Sequence, residues 1–332
     1  MYIRKIESVF QSWMDTPSHK PIVVKGVRQC GKTSSVVDFA NKHFRHIVYL
    51  DFREHPDYKM FFTPNLHVDD IIMRITAAMP DVEIEAGNTC FIFDEIQDCP
   101  RARGSLKYFF LDGRFEVMCT GSLLGVNGYK SREEQAEEAD ASIPVGFEDI
   151  VDMYPMDFEE WLWANGIKPM HIDYLRKCLD NVVPVDASIH ARFRELLHQY
   201  VIVGGMPEAV TVFLNTRQIG KVLSIQRRIV DEYKADMVKY ALLADKPKIR
   251  ECFESIPSQL SREYKKFTFS TVRPGGRGRD YVGSLQWIVF FDHYSNFYLN
   301  KCIFVGRLLV VADAYESYVA CVFCNLRVTT IR

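Results

Sequence analysis

A segment near the N-terminus carries the residue types needed to bind phosphate groups. It matches G-x-x-x-x-G-K-[ST] at every specified position. The glycines let the backbone curl and point its N–H groups at phosphate oxygens. We expect Lys32 to reach the outer phosphates and the Thr33 hydroxyl to ligate Mg²⁺. The residues predicted to contact the nucleotide are Gly26, Val27, Arg28, Gln29, Cys30, Gly31, Lys32, Thr33 and Ser34.

Two adjacent carboxylates supply what phosphate binding alone lacks. Asp94 and Glu95 directly follow the apolar run at residues 89–93, which reads as a buried strand. We expect Asp94 to hold Mg²⁺, directly or through water, and Glu95 to polarise the attacking water. A lone Asp-Glu pair often only ends a strand at the surface. Together with the phosphate-binding segment, the pair predicts a site for ATP or GTP.

A third group of polar residues ends the next predicted strand. The hydroxyls of Thr120 and Ser122 are placed to contact the terminal phosphate or the water, and Ser122 is the candidate catalytic hydroxyl. The alternative is a strand-ending turn, for which Gly and Ser are typical.

The roles of two side chains in the phosphate-binding segment have alternatives as well. Arg28 could contact phosphate, shape the loop or pair with a surface carboxylate, and Cys30 suits a small packed side chain better than a redox switch.

Strands that alternate with helices must position these residues. This alternation predicts an α/β domain with a mainly parallel sheet flanked by helices. Apolar runs predict strands at 21–25, 46–52, 89–95, 115–120 and 148–154, and periodicity near 3.6 predicts helices at 4–14, 34–40, 68–79 and 106–111.

The second half of the chain has helical periodicity. Helices are predicted at 156–164, 190–215, 217–244 and 249–260, with a break at Gly204–Pro207. From residue 289 the chain turns apolar and aromatic. We therefore expect an ATP-binding domain at 1–165, a linker at 166–189, a mainly helical domain at 190–288 and an apolar tail at 289–332.

One local excess of positive charge lies in the second half. Phe267, Phe269 and Tyr281 are interleaved with it. This pattern suits a DNA-backbone surface such as the wing of a winged helix. It equally suits an exposed hairpin whose lysines discourage edge pairing. The basic residues are Lys265, Lys266, Arg273, Arg277 and Arg279.

Composition excludes several classes of protein. The formal net charge is −2 over 332 residues, so any DNA contact must come from a local patch. Nine cysteines, an odd number, argue against a disulfide framework, and Cys321 and Cys324 lack the second pair that a zinc site needs. The N-terminus carries charges where a signal peptide needs an apolar core, and no apolar run approaches a membrane span. We expect a cytoplasmic protein.

The chain resembles prokaryotic AAA-superfamily ATPases that carry a C-terminal domain of unknown function, usually including a winged helix. The resemblance rests on the segments at 26–33, 91–97, 120–124, 153–161, 203–209 and 255–260. It implies a P-loop NTPase core of the AAA type, followed by a mainly helical domain with a possible winged helix. It also implies ATP as the nucleotide, and Lys32, Thr33, Asp94 and Glu95 in the roles given above.

Two departures from the family pattern matter. Members often have a Gly-Arg pair where this chain has Gly146-Phe147, so no arginine finger carries over. Beyond Trp287 the pattern fades, as a truncated or frame-altered C-terminus would explain.

Taken as a whole, the sequence predicts an ATP-hydrolysing switch or motor coupled to a partner- or DNA-contacting domain. In one arrangement, a homo-oligomer supplies an arginine in trans. The alternatives are a nucleotide-dependent binding module and a DNA-binding regulator with little hydrolysis.

Overall fold

The computed structural model describes residues 2–122, 146–240, 245–260 and 267–291. Four residues considered above (Lys265, Lys266, Cys321 and Cys324) and residues 292–332 of the apolar tail lie outside these ranges. The chain divides into two compact units, Arg4–Pro155 and Met156 onward, the latter joined by residues 1–3. No helix in the described part of the chain is both long and apolar enough to cross a membrane.

The first unit is built on a five-stranded sheet in the order β2-β3-β4-β1-β5. Every strand pair in it is parallel. The strands are β1 (Ile22–Gly26), β2 (His46–Asp51), β3 (Thr89–Asp94), β4 (Glu116–Ser122) and β5 (Asp149–Met153). The predicted parallel sheet is confirmed, and the described helices connect or flank its strands.

Helices cover the sheet because parallel strands need crossover connections. The helices are α1 (Ile6–Met14), α2 (Lys32–His43), α3 (Val68–Ala78) and α4 (Pro100–Asp112), with 3₁₀ turns at Pro56–Phe62 and Ile96–Asp98. All six residues of β3 are buried, as its apolar run predicts. Phe91 and Phe93 of β3 pack against Phe109 of α4. One face of β3, the strand that ends at Asp94, is therefore covered by α4.

The second unit is helical in its described residues. The helices are α5 (Phe158–Ala164), α6 (Pro169–Asp180), α7 (Ala187–Val203), α8 (Pro207–Thr216), α9 (Ile219–Tyr240), α10 (Lys246–Leu260), α11 (Phe269–Val272) and α12 (Gly278–Phe291). The segment 166–189, which we expect to be a linker, contains α6. Ile172, Leu175 and Cys178 of this helix are buried, because a period of three to four residues gives it an apolar face.

Two segments that carry the family resemblance touch each other within the second unit. The Met156 N–H donates to the carbonyl of Gly205 at 2.7 Å. The Tyr200 hydroxyl donates to the carbonyl of Met156 at 2.9 Å. A Cβ built on Gly205 would lie 2.0 Å from the Met156 carbonyl oxygen. Only glycine fits at this close backbone approach.

The exposed arginines of the predicted basic cluster lie at the turn between two consecutive helices. Arg273 follows α11, Arg277 precedes α12 and Arg279 lies in its first turn. All three side chains are exposed. Residues 267–291 contain no strand, so they supply no wing of a winged helix. The hairpin alternative likewise finds no strand among these residues.

Candidate functional site

The phosphate-binding segment forms a tight loop between β1 and α2. Gln29 has φ +62° and Gly31 has φ +96°, two left-handed positions that turn the chain sharply. At the start of α2 the Ser35 N–H donates to the Gly31 carbonyl at 3.0 Å. The N–H groups of Lys32, Thr33 and Ser34 therefore belong to the helix end that lacks intrahelical acceptors. Such an end, with the positive pole of the helix dipole, is a place for an anion.

Lys32 is a buried cation whose partners are neutral. Only 7% of the surface of Lys32 is exposed to solvent. The ammonium donates to the carbonyls of Gly26 and Val27 at 2.9 and 2.7 Å. Among the described residues, no carboxylate pairs with it. A buried charge without a counter-charge is costly, so the loop is suited to receive a negatively charged group.

The Asp94 carboxylate accepts hydrogen bonds from the loop and from two further strands. Only 4% of the surface of Asp94 is exposed. Oδ1 accepts from the Thr33 hydroxyl at 3.1 Å, from the Glu95 N–H at 3.1 Å and from the Thr120 hydroxyl. Oδ2 accepts from the Tyr49 hydroxyl at 2.6 Å. The structure thus brings together Thr33 and Asp94, the two predicted metal ligands.

Glu95 faces a different set of partners from Asp94. Its backbone is left-handed, with φ +53°, at the point where β3 passes into the 3₁₀ turn. Its Oε2 pairs with the Arg53 guanidinium at 2.8 Å and accepts from the Gln97 amide. Arg53 also pairs with Asp98 at 2.9 Å. Both contacts of the Glu95 carboxylate within the described residues fall on Oε2, so Oε1 remains the oxygen that can accept from water.

Thr120 and Ser122 occupy different positions at the end of β4. The Thr120 side chain is buried and its hydroxyl reaches Asp94. Ser122 pairs in register with Gly26, the first residue of the loop, and its side chain lies outside the described part of the structure. Within the loop, Gln29 and Ser34 are exposed and Arg28 is half-buried.

Cys30 is packed in the core. Its side chain is fully buried, and the thiol donates to the carbonyl of Met153 at 3.6 Å. Burial raises the pKa of the Cys30 thiol, although the nearby Lys32 and Arg4 cations act in the opposite direction. A thiol held protonated and out of solvent is a poor nucleophile, so the geometry favours the packed side chain over the redox switch.

The structure adds three residues that sequence analysis missed. Arg4, just before α1, is buried and donates to the carbonyls of Cys30 at 2.8 Å and Tyr154 at 2.6 Å. Tyr49 lies on β2 and Arg53 follows it, both near the carboxyl end of the neighbouring strand β3. Burial, with the hydrogen bond to Asp94, raises the pKa of the Tyr49 hydroxyl. The available signal was the position of β2 next to β3, since the carboxyl ends of parallel strands meet at one edge.

Two family models match parts of the chain. Residues 18–162 match the model of an AAA domain, and residues 194–291 match that of a domain of unknown function. No curated protein matches the sequence.

Three solved structures show a distant likeness. A Walker-type ATPase of Pyrococcus abyssi is 13% identical, with a TM-score of 0.49, over 88% of this chain and 90% of that one. AMPPCP-bound DnaA from Aquifex aeolicus is 10% identical, with a TM-score of 0.34, over 92% of each chain. The ORC1 protein of Aeropyrum pernix, in complex with DNA, is 12% identical, with a TM-score of 0.32, over 87% of this chain and 82% of that one.

The assignment rests on the two family models and on the sheet and loop described above. The match at 18–162 contains the phosphate-binding loop, all five strands and both carboxylates. Residues 18–162 therefore form an AAA domain, and residues 194–291 form a domain of unknown function that follows it.

Proposed function

We propose that the first unit binds Mg-ATP and hydrolyses it. The observation that carries this proposal is the buried Lys32 ammonium, which is held by two neutral carbonyls at the mouth of a helix N-terminus. A triphosphate would supply the missing negative charge. The loop Gly26–Thr33 and Ser34 would contact the phosphates through backbone N–H groups, as a P-loop does.

The oxygen donors at the site fit a magnesium ion. Thr33 and Asp94 offer a hydroxyl and a carboxylate 3.1 Å apart, and Mg²⁺ prefers such hard oxygen ligands. We assign these two residues to the metal. When bound, Mg²⁺ would supply positive charge that neutralises the negative charge developing on the phosphate oxygens.

Glu95 is the group that we assign to the attacking water. The free Oε1 would accept a hydrogen bond from that water, while Arg53 and Gln97 fix the carboxylate through Oε2. Attack on the terminal phosphorus breaks the bond to the bridging oxygen and yields ADP, phosphate and a proton. Ser122 remains a proposed contact of the terminal phosphate from the end of β4.

Nucleotide binding is tested by removing the Lys32 ammonium. We expect Lys32→Ala to lose at least about tenfold in affinity for Mg-ATP, since a charge-assisted contact with phosphate disappears. Isothermal titration calorimetry measures this directly. Lys42→Ala is the matched control, because Lys42 is an exposed lysine of the same helix and pairs with Glu7 and Asp38. Equal affinities of the wild type and Lys32→Ala would contradict the site.

A second proposal concerns what the helical unit contacts. Arg273, Arg277 and Arg279 are exposed at the turn between α11 and α12. Of these three, only Arg279 forms an ion pair with a described residue, at 3.9 Å with Asp280. We propose that this turn contacts the DNA backbone. ATP turnover would then act as a switch on that contact, whereas a chain with little hydrolysis would act as a nucleotide-dependent binding module.

The DNA proposal is tested by the salt dependence of binding. Neutralising Arg277 and Arg279 together should weaken binding to duplex DNA and reduce the slope of log K against log salt by about two. Fluorescence anisotropy with a labelled duplex measures both. The control Lys221→Ala/Arg227→Ala removes the same charge from exposed positions of α9. An unchanged slope in the Arg277/Arg279 variant would count against the turn.

A further inference from the structure

Tyr49 stands out among the residues around the site, because its hydroxyl contacts the carboxylate that we assign to the metal. The hydroxyl donates to Asp94 Oδ2 at 2.6 Å. In the β2–β3 register Tyr49 pairs with Ile92, and Asp51 pairs with Asp94. Tyr49 therefore reaches two residues along the neighbouring strand, on the same face. That diagonal spans about 7 Å, a distance that only a long side chain bridges.

The other contacts of Asp94 show why this one matters. Oδ1 accepts from three donors, whereas Tyr49 is the partner of Oδ2 among the described residues. A carboxylate oxygen offers about two acceptor positions, so Oδ1, with three donors around it, has none left. The phenol therefore takes one position of Oδ2 and leaves one for the ion or its water. It also fixes the rotation of the carboxylate about its Cβ–Cγ bond.

The burial of Tyr49 separates this contact from a general packing role. The side chain is 37% exposed, whereas its neighbours Val48 and Leu50 are fully buried. The core thus depends on Val48 and Leu50, and removal of the Tyr49 hydroxyl leaves the packing of the strand intact. Asp94 has no cationic partner among the described residues. It depends on neutral donors, so the loss of one of them alters the way it is held.

We propose that Tyr49 is a positioning residue that orients Asp94 toward Mg²⁺ and so sets the Mg²⁺ concentration at which nucleotide binding is strengthened. This inference rests on the proposed function. It adds a residue of β2 to the groups that hold the ion, and it assigns Oδ2 of Asp94 as the oxygen that faces the ion or its water. Partners that orient a metal ligand change metal affinity by about 10- to 100-fold when removed.

The test measures ADP binding by isothermal titration calorimetry across a series of MgCl₂ concentrations, for the wild type, Tyr49→Phe and Tyr108→Phe. We expect Tyr49→Phe to bind ADP without Mg²⁺ as the wild type does. It should require about tenfold more Mg²⁺ for the half-maximal gain in affinity. Tyr108→Phe is the matched control, since Tyr108 is a similarly exposed tyrosine of the same unit, and it should follow the wild type.

The outcomes separate this inference from the proposed function. If the wild type gains affinity with Mg²⁺ and Tyr49→Phe gains it at the same concentration, Tyr49 does not position Asp94. If Tyr49→Phe loses Mg²⁺-free and Mg²⁺-dependent affinity equally, its role is merely structural, and thermal unfolding of the variant will show the same loss. If the wild type itself binds no ADP at any Mg²⁺ concentration, the proposed function fails as well.

Discussion

At the scale of single residues, the two adjacent carboxylates point to different partners. Asp94 turns toward the phosphate-binding loop and receives the Thr33 hydroxyl. Glu95 adopts φ +53° and turns toward Arg53. The sequence predicts both residues, because carboxylates that follow a buried strand lie at its end. It could not predict their separate directions, since a left-handed backbone at a residue other than glycine has no sequence signal and is set by its surroundings.

The division of roles follows from these directions. The Glu95 side chain keeps one unoccupied oxygen among the described contacts and is 21% exposed, so water can reach it. Asp94 is almost fully buried and saturated on Oδ1. We therefore expect Glu95→Gln to keep the nucleotide and lose the activation of water, because an amide oxygen is a far weaker base than a carboxylate.

At the scale of elements, the helical unit contains a close backbone contact between Gly205 and Met156 that leaves no room for a Cβ on Gly205. We expect Gly205→Ala to destabilise this unit by about 1–3 kcal/mol or more, because the new Cβ would overlap the Met156 carbonyl and force the backbone apart. Thermal unfolding followed by circular dichroism measures the loss.

A matched glycine controls for the change of residue type. Gly220, near the start of α9, has no atom within 4 Å of an added Cβ. Gly220→Ala should unfold at the wild-type temperature or slightly above it, since alanine restricts the unfolded chain and favours a helix. If Gly205→Ala unfolds at the same temperature as Gly220→Ala, the close backbone approach has no bearing on stability.

Sequence patterns predicted the elements better than their contacts. The apolar run at β3 and the break at Gly204–Pro207 between α7 and α8 agree with the structure. The helix α6 was missed although the sequence carries its signals, since Pro169 stands at its first position and Ile172, Leu175 and Cys178 repeat every three residues. The contact between Gly205 and Met156 joins residues distant in sequence, and periodicity carries no information on such pairs.

At the scale of the whole molecule, the chain joins an AAA domain to a second compact unit that is helical in its described residues. The fold of the first unit was predictable because alternating strands and helices admit few topologies. The local structure around the basic residues of the second unit was less predictable. Its exposed arginines suggested a wing, and the described residues place them at a turn between helices instead.

The measurement that tests the central claim most directly is phosphate release from Mg-ATP by the wild type and by Glu95→Gln. The wild type should release phosphate over many turnovers. Glu95→Gln should release it at least about 100-fold more slowly, since positioned general bases contribute that much or more, and Glu54→Gln, at an exposed position after β2, should match the wild type. Undiminished release by Glu95→Gln, or no release by the wild type, would contradict hydrolysis at this site.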